Sequence, residues 1–191
     1  MVHILEQYAK KHNVPIIMKD GIEFLCSYIK DNNIKNILEI GSAIGYSAIN
    51  MALIDKKIKV TTIEKNIEMY NIAKENIHKF NLDNQITIIN DDALNTKLNE
   101  KYDLIFIDAA KSQYIKFFEK YQEYLKYNGV IVTDNLSFHG IVEDESKTKN
   151  RNTKQLVRKI KKYIDFLKTN KNFKTEFYKL GDGISISKKI S

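Results

Sequence analysis

The chain alternates between short apolar runs and longer stretches in which apolar residues have helical spacing. Five runs are rich in β-branched residues, which is typical of strands buried on both faces. They cover residues 37–40, 58–63, 86–89, 104–107 and 130–132. Helical spacing covers 47–54, 66–80 and 112–127, so strand and helix alternate along the chain. This pattern predicts an α/β fold, in which helices cover both faces of a doubly wound parallel sheet.

Further elements are predicted at both ends of the chain. Residues 2–12 and 20–31 have amphipathic helical spacing and precede the first strand. Beyond the fifth strand, the polar segment 143–152 is expected to form an exposed loop. It is followed by a predicted helix at 153–169 and by predicted strands near 173–180 and 184–188. The two last strands can pair as a hairpin across 181–183. We therefore expect a Rossmann-like sheet of seven strands, mostly parallel, with an antiparallel C-terminal hairpin.

The length and composition fit one domain. A chain of 191 residues, of which 43% are hydrophobic, can bury one sizeable core. We predict a single domain over 1–191, with N-terminal helices in 1–33 and a catalytic α/β core in 34–191. No apolar run is long enough to span a bilayer and the first residues lack a signal-peptide pattern, so we expect a cytoplasmic protein without a membrane partner. The single cysteine, Cys26, is expected to be a buried structural thiol.

The first predicted strand leads into a turn that contains Gly41 and Gly45. Glycine permits positive φ there and lets the backbone approach a ligand closely, while Ser47 at the start of the helix can donate to a carboxylate. Glu64 ends the second strand, where an acidic side chain can accept from both hydroxyls of a ribose. Asp92, after the third strand, can accept from an adenine amino group. These positions favour a cofactor in which a nucleoside carries an amino acid.

A nicotinamide-dependent dehydrogenase is the main alternative, because an acidic residue about 20 positions after a glycine-rich turn occurs in both classes. The spacing of Gly41 and Gly45 argues against it, since it lacks the G-x-G-x-x-G pattern. Glu39 precedes the turn and would repel a pyrophosphate. A plain strand-to-helix turn without a ligand is the structural alternative, but the register of Glu39, Glu64 and Asp92 favours a cofactor site.

Polar side chains also follow the fourth and fifth predicted strands. Asp108 ends the fourth strand, and Asp134 and Asn135 end the fifth. Two carboxylates and a carboxamide supply only oxygen ligands, which suits Mg²⁺ and the activation of a substrate hydroxyl. Lys111 is expected to have a depressed pKa beside the ion and to act as general base. The alternative is that the two aspartates only cap helices.

These motifs resemble those of the metal-dependent O-methyltransferase family that includes the catechol and caffeoyl-coenzyme A enzymes. In that family the turn reads E-x-G-x-x-x-G-Y-S, an Asp and an Asp-Asn pair hold the metal, and a lysine three residues past the first Asp serves in catalysis. The matching positions are Glu39, Gly41, Gly45, Tyr46, Ser47, Asp108, Lys111, Asp134 and Asn135. The resemblance implies S-adenosylmethionine as methyl donor and Mg²⁺ as metal. It implies that Asp108 takes part in catalysis and contributes to both the cofactor site and the metal site. It also implies that Ile17 lies over the donor, where relatives have a methionine.

Within the family, the chain resembles the bacterial transfer-RNA 5-hydroxyuridine methyltransferases. The matching segments are Leu5-Glu6-x-Tyr8-Ala9, Val14-Pro15-Ile16, Gly41-x-Ala43-Ile44-Gly45-Tyr46-Ser47-Ala48-Ile49, the run 105–111, Gly181-Asp182-Gly183 and Ile186-Ser187-Lys188-Lys189. This similarity implies methylation of the 5-hydroxyl of the wobble uridine to give 5-methoxyuridine. It further implies the tRNA anticodon stem-loop as partner and a homodimeric assembly.

Charge gives a second argument for an RNA partner. The chain has 31 basic and 24 acidic residues and a net charge of +7, which favours polyanions. The helix at 153–169 is expected to bury Leu156, Ile160, Ile164 and Leu167, and to expose Lys154, Arg158 and Lys161, with Arg151 just before it. We expect Arg151, Lys154 and Arg158 to contact RNA. An ordinary solvated face is the alternative, and a methyltransferase of small catechol-like phenols is the alternative function.

Overall fold

Seven strands form one sheet in the computed structural model, which describes residues 2–190. They are β1 Asn36–Ile40, β2 Lys59–Glu64, β3 Ile86–Asn90, β4 Tyr102–Ile107, β5 Leu125–Thr133, β6 Phe173–Tyr178 and β7 Ile184–Lys189. Their order across the sheet is β3-β2-β1-β4-β5-β7-β6. The first five strands run parallel, whereas β7 is antiparallel to both β5 and β6. The predicted fold class is confirmed, including the antiparallel C-terminal hairpin.

Within residues 2–190, six α-helices surround the sheet. They are α1 His3–His12, α2 Lys19–Asp31, α3 Tyr46–Leu53, α4 Ile67–Lys79, α5 Tyr114–Tyr121 and α6 Arg151–Thr169. Neighbouring residues of one strand enter different cores, since Ile37 packs with residues of α1 to α4 and Leu38 packs with residues of α5 and α6. Burial on both faces explains why the strands are continuously apolar. Between residues 2 and 190, no helix has the length and apolar character needed to cross a membrane.

The predicted helix at 112–127 is wrong at its C-terminal end. Helix α5 ends at Tyr121, a 3₁₀ turn follows, and β5 already begins at Leu125. The helical spacing of apolar residues continues through Tyr124 and Leu125, which is why the pattern extends the helix. In the structure, however, Leu125 pairs with Tyr102 of β4, so pairing with a distant strand overrides the local pattern.

Helix α6 buries a face that differs in part from the predicted one. Ile160 and Leu167 are buried as expected, but Val157 and Tyr163 are buried in place of Leu156 and Ile164, which are only partly buried. The Tyr163 hydroxyl is 2.7 Å from the hydroxyl oxygen of Thr133. This hydrogen bond explains how a tyrosine is accommodated at a position that the sequence pattern did not select.

Cys26 on α2 is half-buried, whereas the sequence predicts a buried structural thiol. Its partial burial raises the pKa of the thiol to about 11. Because the thiolate is the reactive form of cysteine, Cys26 is expected to be unreactive near neutral pH.

Candidate active site

A cleft of about 380 Å³ opens at the carboxyl ends of the parallel strands. Its lining includes most of the residues selected from separate sequence motifs, namely Ile17, Gly41, Tyr46, Ser47, Glu64, Asp92, Asp108, Lys111 and Asn135. They meet because parallel strands place their carboxyl ends at one edge of the sheet. Ile17, expected over the donor, is buried at the margin of this cleft.

The loop between β1 and α3 has the backbone conformation that its glycines predict. Gly41 has φ 93° and Gly45 has φ 82°, both in the region that favours glycine. A Cβ atom on Gly41 would lie 2.3 Å from the carbonyl oxygen of Asp108. The Gly41 N–H donates to the carbonyl of Ile63 at 2.9 Å, so the loop is fixed against two neighbouring strands.

Glu39 lies beneath this loop and is fully buried. The Ser47 hydroxyl donates to one of its carboxylate oxygens, and the Thr62 hydroxyl donates to the other at 2.5 Å. The Ser47 hydroxyl, expected from the sequence to face a carboxylate of the cofactor, therefore has Glu39 as its partner in the structure. These contacts tie the first turn of α3 to β1 and β2.

Substitution of Glu39 by glutamine is expected to change how stability depends on pH. Burial raises the pKa of Glu39 from 4.5 to about 7, so folding favours the protonated form. This contribution to stability is complete below about pH 4.5 and is lost as the pH rises through about 7. Relative to Glu39→Gln, the wild-type free energy of unfolding should fall by up to ~3 kcal/mol between pH 5 and pH 8. Urea denaturation of both proteins at the two pH values measures this difference, and an unchanged difference contradicts the assignment.

Glu64 and Asp92 provide two further carboxylates to the cleft. Glu64 accepts from the backbone N–H groups of Ala43 at 2.9 Å and Asn66 at 2.7 Å. Asp92 accepts from the backbone of Leu94 at 2.9 Å and from Lys65 Nζ at 2.7 Å. The hydrogen bond from Lys65 lowers the pKa of Asp92. Since each carboxylate oxygen has two lone pairs, both side chains can still accept from hydroxyl or amino groups of a nucleoside.

The three predicted metal ligands lie together at the ends of β4 and β5. Asn135 Nδ2 donates to Asp108 Oδ1 at 3.0 Å and to Asp134 Oδ2 at 3.1 Å. Burial raises the pKa of Asp108, and burial together with the charge of Asp108 raises the pKa of Asp134. Tyr114 donates to the backbone carbonyl of Asp134 at 2.9 Å, which holds the strand end in place. The buried Asp134 and the partly buried Asp108 thus share one amide donor.

This donor set fits a hard divalent cation. Asp134 Oδ1 is buried and lacks a hydrogen-bond partner within the part of the chain that the structure describes. Rotation of the Asn135 amide by a half-turn would present its oxygen where Nδ2 now lies, because the two ends of an amide have the same shape. Over residues 2–190, no group of three His, Cys, Asp or Glu side chains is placed to hold a metal. The candidate set therefore consists of two carboxylates and one amide oxygen.

A second pocket of about 620 Å³ adjoins the cleft. Lys111 and Asn135 line both cavities, so they mark the passage between them. Lys111 Nζ lies 5.6 Å from the centre of the Phe138 ring. The lining also includes Glu6 and Asp182, which the sequence motifs alone do not place in the site. We call this second pocket the acceptor pocket.

The basic residues expected to contact RNA lie on α6, apart from the cleft lining. Arg151 and Arg158 are exposed, and Lys154 is partly exposed. Lys161, expected on the same stripe, instead donates to Glu145 at 2.6 Å, which lowers the pKa of that carboxyl. His139 is exposed, whereas Tyr114 is buried.

The fold and the cleft define a Rossmann-like methyltransferase domain, and comparisons with known proteins name its family. A model of the O-methyltransferase family matches residues 2–190, and the chain belongs to this family. The structure of a candidate caffeoyl-CoA O-methyltransferase from Staphylococcus aureus is 41% identical and has a TM-score of 0.95, covering 98% of this chain and 91% of that one. The caffeoyl-CoA O-methyltransferase of Populus kitakamiensis is 28% identical over 194 residues, which are 97% of this chain and 82% of that protein.

The fold is also shared by more distant structures. An O-methyltransferase from Bacillus cereus, solved in complex with SAH, is 24% identical and has a TM-score of 0.84, with 98% of this chain and 90% of that one covered. Family and cleft together identify the class of reaction as S-adenosylmethionine-dependent methyl transfer to oxygen. The predicted enzyme class is confirmed at this level.

Proposed function

We propose that this enzyme uses S-adenosylmethionine and Mg²⁺ to methylate the 5-hydroxyl of 5-hydroxyuridine at the wobble position of tRNA. The observation that supports this most is the junction between the cleft and the acceptor pocket. Lys111 and Asn135 line both cavities, Asp108 lines the cleft and Asp134 lines the acceptor pocket. A methyl donor in the cleft and a hydroxyl in the acceptor pocket would meet beside these four side chains.

The reaction forms a bond between the substrate oxygen and the methyl carbon and breaks the bond between that carbon and the sulfonium sulfur. When Mg²⁺ is bound, its charge favours ionisation of the acceptor hydroxyl. Asp108, Asp134 and Asn135 would hold the ion. Lys111 would act as the general base that takes up the hydroxyl proton. Because Lys111 lies between the two cavities, it would also orient the acceptor hydroxyl towards the methyl group of the donor.

A pyrimidine in RNA is supported over a small phenol by two features. The acceptor pocket has a volume of about 620 Å³ and is open to the surface, so a base that remains part of an RNA strand has room to enter it. Exposed basic residues on α6, Arg151 and Arg158, are available for phosphate contacts. A 5-hydroxypyrimidine is also chemically apt, because its enol-like hydroxyl ionises as easily as that of a catechol.

Charge reversal on α6 tests the RNA partner. The double substitution Arg151→Glu with Arg158→Glu should weaken tRNA binding by about tenfold or more at low salt, because two phosphate contacts become repulsive. Binding of S-adenosylmethionine should not change. The matched control is Lys56→Glu with Lys57→Glu, which makes the same charge change at exposed residues before β2. Strand β2 lies next to the edge strand β3, whereas α6 contacts the opposite edge strand β6. Equal tRNA affinity of both double variants would reject the proposed surface.

The substrate itself is tested with tRNA that carries 5-hydroxyuridine. Purified enzyme, S-adenosylmethionine and Mg²⁺ should convert it to 5-methoxyuridine, as detected by mass spectrometry of the nucleosides, and a chelator should stop the conversion. In cells without the gene, 5-methoxyuridine should disappear and 5-hydroxyuridine accumulate. Turnover of catechols together with an unchanged tRNA profile would favour the small-phenol alternative.

A further inference from the structure

Asp182 is a buried carboxylate in the acceptor pocket that the proposed chemistry does not use. It lies in the turn between β6 and β7 and is 4% exposed. The pocket lining includes Asp182 together with Lys111, Asp134 and Asn135. Burial of a carboxylate is costly unless its oxygens receive hydrogen bonds, so the partners of both oxygens require an explanation.

The two oxygens of Asp182 differ in their surroundings. Oδ1 accepts from the backbone N–H of His139, whereas Oδ2 is buried and has no hydrogen-bond partner in the described chain. His139 belongs to the segment 135–140, in which Asn135, Phe138, His139 and Gly140 all have positive φ. Such a strained segment persists only where surrounding contacts hold it.

A purely structural role explains only one side of this carboxylate. The segment 135–140 is held by the Oδ1 contact and by backbone hydrogen bonds from Leu136 to the carbonyl of Gly183 at 2.9 Å and from Ser137 to the carbonyl of Asp182 at 2.7 Å. None of these contacts involves Oδ2. Asp182 lines the acceptor pocket, so a substrate bound there can supply the hydrogen-bond donor that Oδ2 lacks.

We propose that Asp182 Oδ2 accepts a hydrogen bond from the ring N3–H of the bound pyrimidine and so selects uracil-type bases. This inference rests on the proposed function, because it takes a 5-hydroxypyrimidine as the acceptor. A 5-hydroxyuracil ring carries a hydrogen on N3, whereas N3 of a 5-hydroxycytosine ring carries a lone pair that a carboxylate repels. A catechol has no ring N–H at all. Asp182 therefore acts as a specificity residue rather than as a base.

The substitution Asp182→Asn separates this role from support of the loop. Asparagine keeps an oxygen that can accept from His139 N–H and replaces the other oxygen with an NH₂ donor of similar size. The NH₂ group opposes the N3–H of 5-hydroxyuridine and can donate to N3 of 5-hydroxycytidine. We expect the ratio of kcat/KM for the two bases, presented in the same RNA stem-loop, to shift by about 10- to 100-fold towards 5-hydroxycytidine.

A ratio of two substrates on one protein cancels any general loss of activity through misfolding or a displaced loop. The matched control is Glu143→Gln, which changes an exposed carboxylate that accepts from Ser137 Oγ at 2.9 Å; its ratio should equal that of the wild type. A wild-type ratio in Asp182→Asn overturns the inference and leaves the proposed function intact. Absence of wild-type activity on the 5-hydroxyuridine stem-loop overturns both, so the two failures are distinguishable.

Discussion

Replacement of Lys111 by methionine is expected to slow methyl transfer by about 10²- to 10⁴-fold, the range that a positioned general base supplies. Methionine has a similar length but cannot take the proton of the acceptor hydroxyl. Because Lys111 lies where the donor cleft meets the acceptor pocket, the loss should fall on kcat. Affinity for S-adenosylmethionine, measured by calorimetry, should stay within about twofold, since binding of the donor does not require the proton transfer.

Lys116→Met is the matched control for this substitution. Lys116 lies on α5, the helix that follows the 3₁₀ turn containing Lys111. Its side chain is exposed. It should keep the wild-type kcat. If Lys111→Met retains kcat within a few-fold at saturating donor, the residue is not the base. If it instead loses affinity for the donor with unchanged kcat, Lys111 has a role in binding alone.

The parallel order of the strands explains why so much of the site could be predicted from the sequence. Asp108 and the pair Asp134 and Asn135 each follow an apolar run directly, and the carboxyl ends of parallel strands share one edge. Local sequence therefore carried nearly all the information needed to bring them together. The glycine turn was predictable for the same reason, since positive φ at Gly41 and Gly45 is a local requirement.

Asp182 could not be placed in the site from its sequence neighbours. The hairpin of β6 and β7 was predicted, but not the insertion of β7 between β5 and β6. Thr133 pairs with Ser185 in the antiparallel ladder, and this register alone brings Asp182 beside the residues that follow β5. The contact joins positions far apart in the chain, for which no motif spacing gives a signal.

For Glu39 the reverse holds: the sequence predicts a functional carboxylate before the glycine turn, but it does not predict the hydrogen-bond partners of this side chain. A carboxylate before a glycine turn suggested contact with a cofactor, yet its oxygens receive the hydroxyls of Ser47 and Thr62. Thr62 lies on β2, opposite Glu39 in the parallel ladder. Which side chain meets which across a sheet depends on register, and register was not specified by the pattern. The implied homodimer and the tRNA partner stay predictions.

Substitution of Gly41 by alanine is expected to disrupt the donor site and the acceptor side together. The added Cβ would lie 2.3 Å from the carbonyl oxygen of Asp108 and 3.1 Å from its carbonyl carbon, and backbone atoms cannot rotate away as a side chain can. Relief requires the loop after β1 and the end of β4 to separate. With the cost of φ 93° added, the free energy of unfolding should fall by about 3 kcal/mol or more. Affinity for S-adenosylmethionine should fall at least about tenfold, because the loop that lines the cleft is displaced.

Gly140→Ala distinguishes the collision from the backbone strain. Gly140 has φ 72°, but the nearest atom to its added Cβ is Lys147 Nζ, at 2.7 Å, the end of an exposed and flexible side chain. This variant should lose only about 1 kcal/mol of stability, the cost of positive φ alone, and keep its affinity for the donor. Urea denaturation and calorimetry of the two variants measure both quantities.

If Gly41→Ala is no less stable than Gly140→Ala and binds the donor as the wild type does, the close approach of Gly41 to Asp108 does not determine the geometry of the cleft. A large loss confined to Gly41→Ala would instead show that the donor loop and the strand end bearing Asp108 are held as one rigid unit, in which the methyl donor and the acceptor hydroxyl are positioned together.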